Sequence, residues 1–399
     1  MSEKEMSGYD DAEYFRELER RRGAAMLRDG DVGSIPVGDG GAELLYRQGQ
    51  LLVGGAAARD RTLGILQERR IDASVDRYDE LAGGIEVVTL PTTDAEVARL
   101  LVGEIDPTVD VSLNRFLFAQ QRVQWWAMGM PEPLVTPDEP KVEIEKSVVV
   151  GVADTGIQTG APWMGAVELL EAGDEEDPNP SEELFEAGHG SFVAGRVREH
   201  CPEALVRATR IGMDERGLVD ELSAIRRVAA LATAGEGLDL LVMAFGSPAG
   251  GGSAVAWRAL LAQLRRHRGR FGLPPTVIVA AGGNLGIDVP MLPASLPGVI
   301  SVGALGVDGR PAPFSNHGNC IDVWARGTDV GGAFLRQDPR FGRAFDGWAT
   351  WSGTSFAAPA VAGQLAARMR QARQTAQQAA EYALLSHWRL RIDGHPALT

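Results

Sequence analysis

The segment Gly353-Thr354-Ser355-Phe356-Ala357-Ala358-Pro359 constrains this chain more than any other stretch. A glycine that permits a sharp turn leads into small and apolar residues that favour a helix. Thr354 or Ser355 is placed to cap that helix. Pro359 fits as an early helical residue, where a missing N–H is tolerated. A serine at such a start has an exposed Oγ beside the positive end of the helix dipole. The bare alternative is a capped helix with no chemistry.

Two other segments favour chemistry. Val148-Val149-Val150-Gly151-Val152 is a β-branched, buried-strand run, and it delivers Asp154-Thr155-Gly156 at its C-terminal end. Open α/β sheets place their sites at those ends. Gly188-His189-Gly190-Ser191-Phe192-Val193-Ala194-Gly195 sets a histidine between glycines ahead of a short apolar helix. None of the other histidines has such a frame. A serine hydroxyl needs an adjacent base to act as a nucleophile, and imidazole suits that role. A buried aspartate holds the imidazole in the useful tautomer. Asp154, His189 and Ser355 supply these three groups in that order along the chain, which is also the order in subtilisin.

From Val148 to Ala366 the chain resembles the subtilisin-like serine proteases, the subtilases. Val279-Ala280-Ala281-Gly282-Gly283-Asn284-Leu285-Gly286 resembles the block carrying the oxyanion-hole asparagine, and Trp351 to Ser355 the nucleophile block. The resemblance implies Asp154, His189 and Ser355 as the catalytic triad and Asn284 as oxyanion donor, beside the Ser355 N–H. It implies substrate-binding roles for Phe245, Gly246, Ala281, Gly282, Gly283 and Leu285. It differs from the family at Phe192, where a second, non-catalytic histidine is usual, and at Ala244, where a polar residue is usual. Leu285 stands where a polar residue is frequent at the pocket rim, which suggests apolar substrate side chains.

The implied activity is endopeptidase hydrolysis through an acyl-enzyme. A catalytically silent peptide-binding pseudoprotease and an acyl-transfer enzyme, ligase or esterase, remain open on the same scaffold. Gly250-Gly251-Gly252 lacks the Gly-Lys-Ser/Thr element of a phosphate loop. An acid protease of the sedolisin type leaves His189 without a use.

No cofactor is indicated with certainty. The calcium loop that secreted subtilisins often insert between the histidine helix and the next strand has no room before Ala204. The acidic run Asp174-Glu175-Glu176-Asp177 is a possible calcium chelator, a cleft wall favouring basic peptides, or a solvated loop. Net charge of −15 argues against a nucleic-acid partner. Cys201 and Cys320 allow one disulfide at most. The charged start, Met1-Ser2-Glu3-Lys4-Glu5-Met6, is followed by no signal-peptide core, and no transmembrane run occurs, so a cytoplasmic location without membrane contact is expected.

The expected fold class is α/β, a subtilisin-like three-layer fold with a mostly parallel central sheet. A small α+β, ferredoxin-like domain resembling a subtilase prodomain precedes it. The expected divisions are 1–43 as a charged, flexible extension with a helix at Tyr14–Leu27, 44–119 as the prodomain-like domain, 120–146 as linker, 147–370 as catalytic domain and 371–399 as a helical extension. Within 44–119 the pattern predicts strands at Leu51–Gly54, Gly84–Leu90 and Val109–Phe118 and helices at Arg59–Arg70 and Thr93–Val102. In the core it predicts strands at 147–153, 204–211, 238–244, 275–281, 298–304 and 321–324. Helices are predicted at 190–199, 218–233, 252–268 and 354–370. The resemblance implies two partners, a polypeptide substrate and the chain's own N-terminal domain as intramolecular chaperone and inhibitor, with self-cleavage between Phe118 and Ser147.

Overall fold

The computed structural model describes residues 30–38, 42–78, 81, 84–91, 102, 109–118, 131–135, 148–158, 167–175, 187–214, 218–250, 252–338, 343–386, 391–392 and 394–398. The expected helix at Tyr14–Leu27, most of that at Thr93–Val102, most of the linker and the acidic residues after Glu175 lie outside them.

The first elements are β1 (Val32–Val37), β2 (Ala42–Val53), α1 (Ala56–Glu68), β3 (Ser74–Tyr78), β4 (Ile85–Thr89) and β5 (Val111–Leu117). They form an antiparallel sheet in the order β5-β2-β4-β3, with β1 also paired to β2. That order is the split βαβ arrangement of ferredoxin-like folds. The sheet starts at Val32, earlier than the expected boundary at 44, and β2 is longer than the predicted Leu51–Gly54. Two physical reasons hid these strands. Arg47 to Gln50 interrupts the apolar pattern of β2 with polar residues and a glycine. β3 is almost wholly exposed, so it carries no buried-face signal.

The main elements of the larger sheet and its covering layers are β6 (Val149–Asp154), β7 (Val167–Leu169), α2 (His189–His200), β8 (Leu205–Arg210), β9 (Val219–Asp220), which pairs with β5, α3 (Glu221–Ala232), β10 (Leu240–Met243) and α4 (Val255–Arg270). After them come β11 (Val277–Ala281), β12 (Val299–Leu305), β13 (Val323–Arg326), α5 (Thr354–Ala372), α6 (Ala376–Ser386) and β14 (His395–Leu398). Eight strands run parallel in the order β14-β13-β12-β11-β10-β6-β8-β7, and Arg391–Ile392 pairs antiparallel at the β14 edge. The expected helical extension at 371–399 is only partly helical: Arg373 ends α5 in the left-handed region at φ 50°, α6 begins at Ala376, and β14 joins the sheet edge instead.

Strand alternation sorts the core into two layers. Val150, Val152, Leu240, Val242 and Val279 face one side with α2 and α5. Ala153, Leu241, Met243, Ile278 and Ala280 face the other with α3 and α4. A parallel sheet covered on both faces reads as continuous apolar runs, which is why these strands were legible. Leu52, Ile85, Val87 and Leu117 of the N-terminal sheet join the α3/α4 layer.

α2 and α5 pack closely. A Cβ on Gly363 would lie 2.6 Å from the Val197 carbonyl oxygen and 2.7 Å from His200 Cβ. Gly363→Ala should therefore push the helices apart and lower stability by about 1–3 kcal/mol. Gly64→Ala, in the middle of α1 with nothing within 4 Å of the new methyl, should instead add about 0.5–1 kcal/mol. Thermal melts of the two variants beside the parent, moving in opposite directions, check both.

Candidate functional site

Asp154 ends β6 and is 1% exposed. Its Oδ1 accepts the Thr155 N–H at 2.8 Å and pairs with His189 Nδ1 at 2.7 Å. An ionised carboxylate can only accept, so Nδ1 carries the proton, and in the neutral ring the lone pair then sits on Nε2. Nε2 is buried and has no hydrogen-bond partner among the described residues. A basic nitrogen held in this state is ready to take a proton.

The glycine frame around His189 has a steric cause. The Gly188 φ is 87°, a left-handed conformation suited to glycine. A Cβ on Gly190 would lie 2.2 Å from the Gly156 carbonyl oxygen. Only glycine lets the start of α2 approach the turn after Asp154 this closely, and the Gly190 N–H donates to Thr155 Oγ1 at 3.0 Å. Trp351 and Phe356 flank the imidazole at ring distances of 5.9 and 5.3 Å. Phe192, one turn along α2, packs on Phe356 at 4.3 Å. The residue that departs from the family pattern thus joins an aromatic wall behind the histidine.

Ser355 lies in the first turn of α5 and is 2% exposed, not open as expected. Its Oγ donates to the Ala244 carbonyl at 3.2 Å. The local account of this turn also needs correction. Gly353 has φ 160°, ordinary extended backbone, and its N–H is tied to Gly327 O at 2.7 Å. Gly353 itself is the N-cap, so neither Thr354 nor Ser355 caps the helix. Pro359 is the sixth helical residue, beyond the first turn, and has no N–H with which to donate the usual i→i−4 helical bond.

Thr354 has a different task. Its N–H and Oγ1 both donate to Asn284 Oδ1, at 2.9 and 2.8 Å. This fixes which end of the amide is the acceptor and turns Nδ2 away from Thr354 as the donor end. Asn316 supports the same loop by accepting the Leu285 N–H at 2.8 Å and donating to Val289 O at 3.0 Å. No local pattern pointed to Thr354 as holding Asn284 or to Asn316 as holding its loop, since both lie far from it along the chain.

The expected substrate-binding residues divide. Gly246 pairs by both backbone groups with Phe118, donating to its carbonyl at 2.9 Å and accepting its N–H at 3.1 Å. The Phe245 ring is buried toward α4, 6.4 Å from Trp257, so its backbone alone can face the cleft. Leu285 is buried in the same layer. Ala281 ends β11, and Gly282 and Gly283 lead from it to Asn284. On the other side of the β5 end, Leu117 and Phe116 pair with Val219 and Asp220 of β9.

Asp174 is a buried anchor. Its carboxylate accepts from Thr209 Oγ1, the Arg210 and Glu171 N–H groups and Arg227. These bonds leave it little to offer a cation. Among the described residues no group of three or more His, Cys, Asp or Glu could hold a metal ion. No helix among them is long and apolar enough to cross a membrane.

Cys201 and Cys320 are both free thiols. Burial pushes each upward in pKa, with Glu203 adding to the effect at Cys201 and Asp288 at Cys320, which reaches about 11. Both therefore stay protonated at neutral pH, and only the thiolate alkylates readily. Iodoacetamide should modify the folded protein far more slowly than the urea-unfolded chain. Intact mass against time checks this.

The family model described as the subtilase family matches residues 145–388. The chain is 40% identical over 98 residues to a thermophilic serine proteinase of Bacillus sp. (strain AK1), covering 25% of this chain and only 22% of that protein. It is 28% identical over 230 residues to subtilisin BL of Lederbergia lenta, covering 55% of this chain and 75% of that one. Among solved structures, a lanthipeptide protease aligns at a TM-score of 0.50 and 22% identity, over 62% of this chain and 82% of that one. This last likeness speaks to the fold alone.

Proposed function

Because the chain belongs to the subtilase family, we propose that it is a serine endopeptidase whose triad is Asp154, His189 and Ser355. The observation that carries the reading is the buried Asp154–His189 contact of 2.7 Å with Nε2 left as an unpartnered base. In the proposed cycle His189 Nε2 removes the Ser355 hydroxyl proton while Oγ bonds to the peptide carbonyl carbon. The carbonyl electrons move to oxygen, and Asn284 Nδ2 with the Ser355 N–H stabilises that oxyanion. Collapse expels the amine, which takes the proton from His189. Water then cleaves the ester by the same route.

The Ser355 hydroxyl must first leave Ala244 O, its present acceptor. An extended peptide continuing the Phe118–Gly246 register places the second residue after Phe118 opposite Ala244. That residue's N–H would take the Ala244 carbonyl and free the hydroxyl for His189. Substrate binding would thus complete the triad.

The same register supports a role for the N-terminal unit. The end of β5 lies between β9 and Gly246, as an added strand does in a peptide cleft. We read the unit as an inhibitor that is also the first substrate. Register arithmetic (118 with 246, hence 120 with 244) puts the scissile bond at Gln120–Gln121.

A fluorophosphonate probe with intact-mass detection tests the reading. Wild type should be labelled and Ser355→Ala should not, and the new N-terminus of any shortened chain should be Gln121. Ser355→Ala or His189→Ala should reduce turnover by about 10⁶, a magnitude taken from subtilisin itself. Failure of the probe to label a chain freed of residues 1–120 would overturn the reading. Asn284→Leu should lose about 10²–10³ in kcat. Thr354→Val removes one of the two bonds that orient the amide, and should lower kcat about five- to tenfold with little change in KM. Steady-state kinetics on probe-titrated enzyme measures both.

A further inference from the structure

Arg115 of β5 is wholly buried, and so is Glu221 at the start of α3. Arg115 Nη1 donates to Glu221 Oε2 at 2.8 Å. Nε donates to Gly250 O at 3.0 Å, and Nη2 reaches Ser253 O at 3.2 Å and Gly252 O at 3.4 Å. The acceptors come from two sides: a carboxylate from the β9–α3 corner, and carbonyls from the segment that follows Gly246 and leads into α4. A planar guanidinium fork can serve both sides at once, whereas an ammonium concentrates its donors on one atom. Burial pushes the Glu221 carboxyl above the usual range, and the Arg115 charge pulls it back. A carboxylate so deeply placed requires a cationic partner.

The place of this crown in the cleft gives it a second meaning. Arg115 lies three residues before Phe118, whose backbone is paired with Gly246, and next to Phe116, which faces Asp220 of β9. A substrate running along the same track would carry a residue to the same spot.

We propose that Glu221 and the carbonyls of Gly250, Gly252 and Ser253 form a guanidinium subsite, filled by Arg115 while the N-terminal unit is docked and by an arginine of the peptide substrate once it is displaced. The preferred arginine lies five residues before the residue whose carbonyl is attacked. The proposal rests on the reading of β5 as standing in the substrate's place. It makes an arginine-bearing peptide a competitor for the position the N-terminal unit holds.

Two measurements test it. The first is chemical rescue of the full chain. Arg115→Ala should melt below wild type and regain part of the difference in millimolar ethylguanidinium, but not in ethylammonium at equal ionic strength. Wild type and Arg115→Ala/Glu221→Gln should not respond. Equal responses to the two cations, or no response, would overturn the subsite. The second uses wild type alone, so it survives any failure of the variants to fold. Peptides spanning residues 111–124 are prepared with Arg, Lys or Met at position 115. The Arg peptide should be cut at least about tenfold more efficiently than the Met peptide, chiefly through KM, with Lys close to Met. Equal cleavage of Arg and Met peptides would overturn the substrate role. If unlabelled enzyme from a preparation that reacts with the probe cuts none of them, the endopeptidase reading fails, and the rescue experiment still decides the guanidinium site.

Discussion

The rest of the structure depends on one constraint: a parallel sheet must be covered on both faces. Helices supply the two covering layers, α2 with α5 on one face and α3 with α4 on the other, and the C-terminal strand ends remain the open edge. β6 delivers Asp154 to that edge, β10 leads to Ala244 and Gly246, and β11 leads to Asn284. Parallel register between neighbours then fixes where these ends lie relative to each other. The helices complete the arrangement, because α2 and α5 begin at the same edge and bring His189 and Ser355 with them.

Within that frame, position is set by close backbone approach more than by side-chain attraction. Gly190 passes so near the Gly156 carbonyl that no side chain fits, and this proximity brings Nδ1 of His189 to Asp154. Gly327 and Gly353 meet in the same way below the serine turn, where a Cβ on Gly327 would lie 2.8 Å from Gly353 O. Asn284 is held by two hydrogen bonds from Thr354, the residue beside Ser355, so the proposed oxyanion donor and the proposed nucleophile move as one piece. Pre-set donors of this kind need no reorganisation when charge develops.

The N-terminal unit meets the core through polar groups as well as apolar ones. Asn114 accepts the Leu222 N–H, and Ser253 donates to Asp110 and to the Val111 carbonyl. Together with Arg115, these contacts satisfy backbone groups at the starts of α3 and α4. Free helix starts expose unpaired N–H groups, and the bond from Leu222 to Asn114 covers one of them on α3. Apolar contact alone would give adhesion without register. The buried Arg115–Glu221 pair adds register, since a charge at that depth tolerates no slip of one residue.

The amino-acid pattern alone made legible the parallel-sheet core, the order Asp154, His189, Asn284, Ser355, the core helices and six of the eight parallel strands, the short edge strands β7 and β14 being the exceptions. Buried parallel strands announce themselves as unbroken apolar runs, and glycine frames mark places where backbone must pass close to backbone. The edge strand β3 and the first half of β2 escaped, because exposed or polar strands carry no such pattern. Tertiary contacts set the state of Ser355, whose hydroxyl is held by Ala244 O, the burial of Phe245 against Trp257, and the tasks of Thr354 and Asp174. They alone placed Phe118 against Gly246 and sank Arg115 into the carbonyl crown. Each of these is a contact between residues far apart in sequence, with no local periodicity to betray it, and so becomes legible only once the chain has folded.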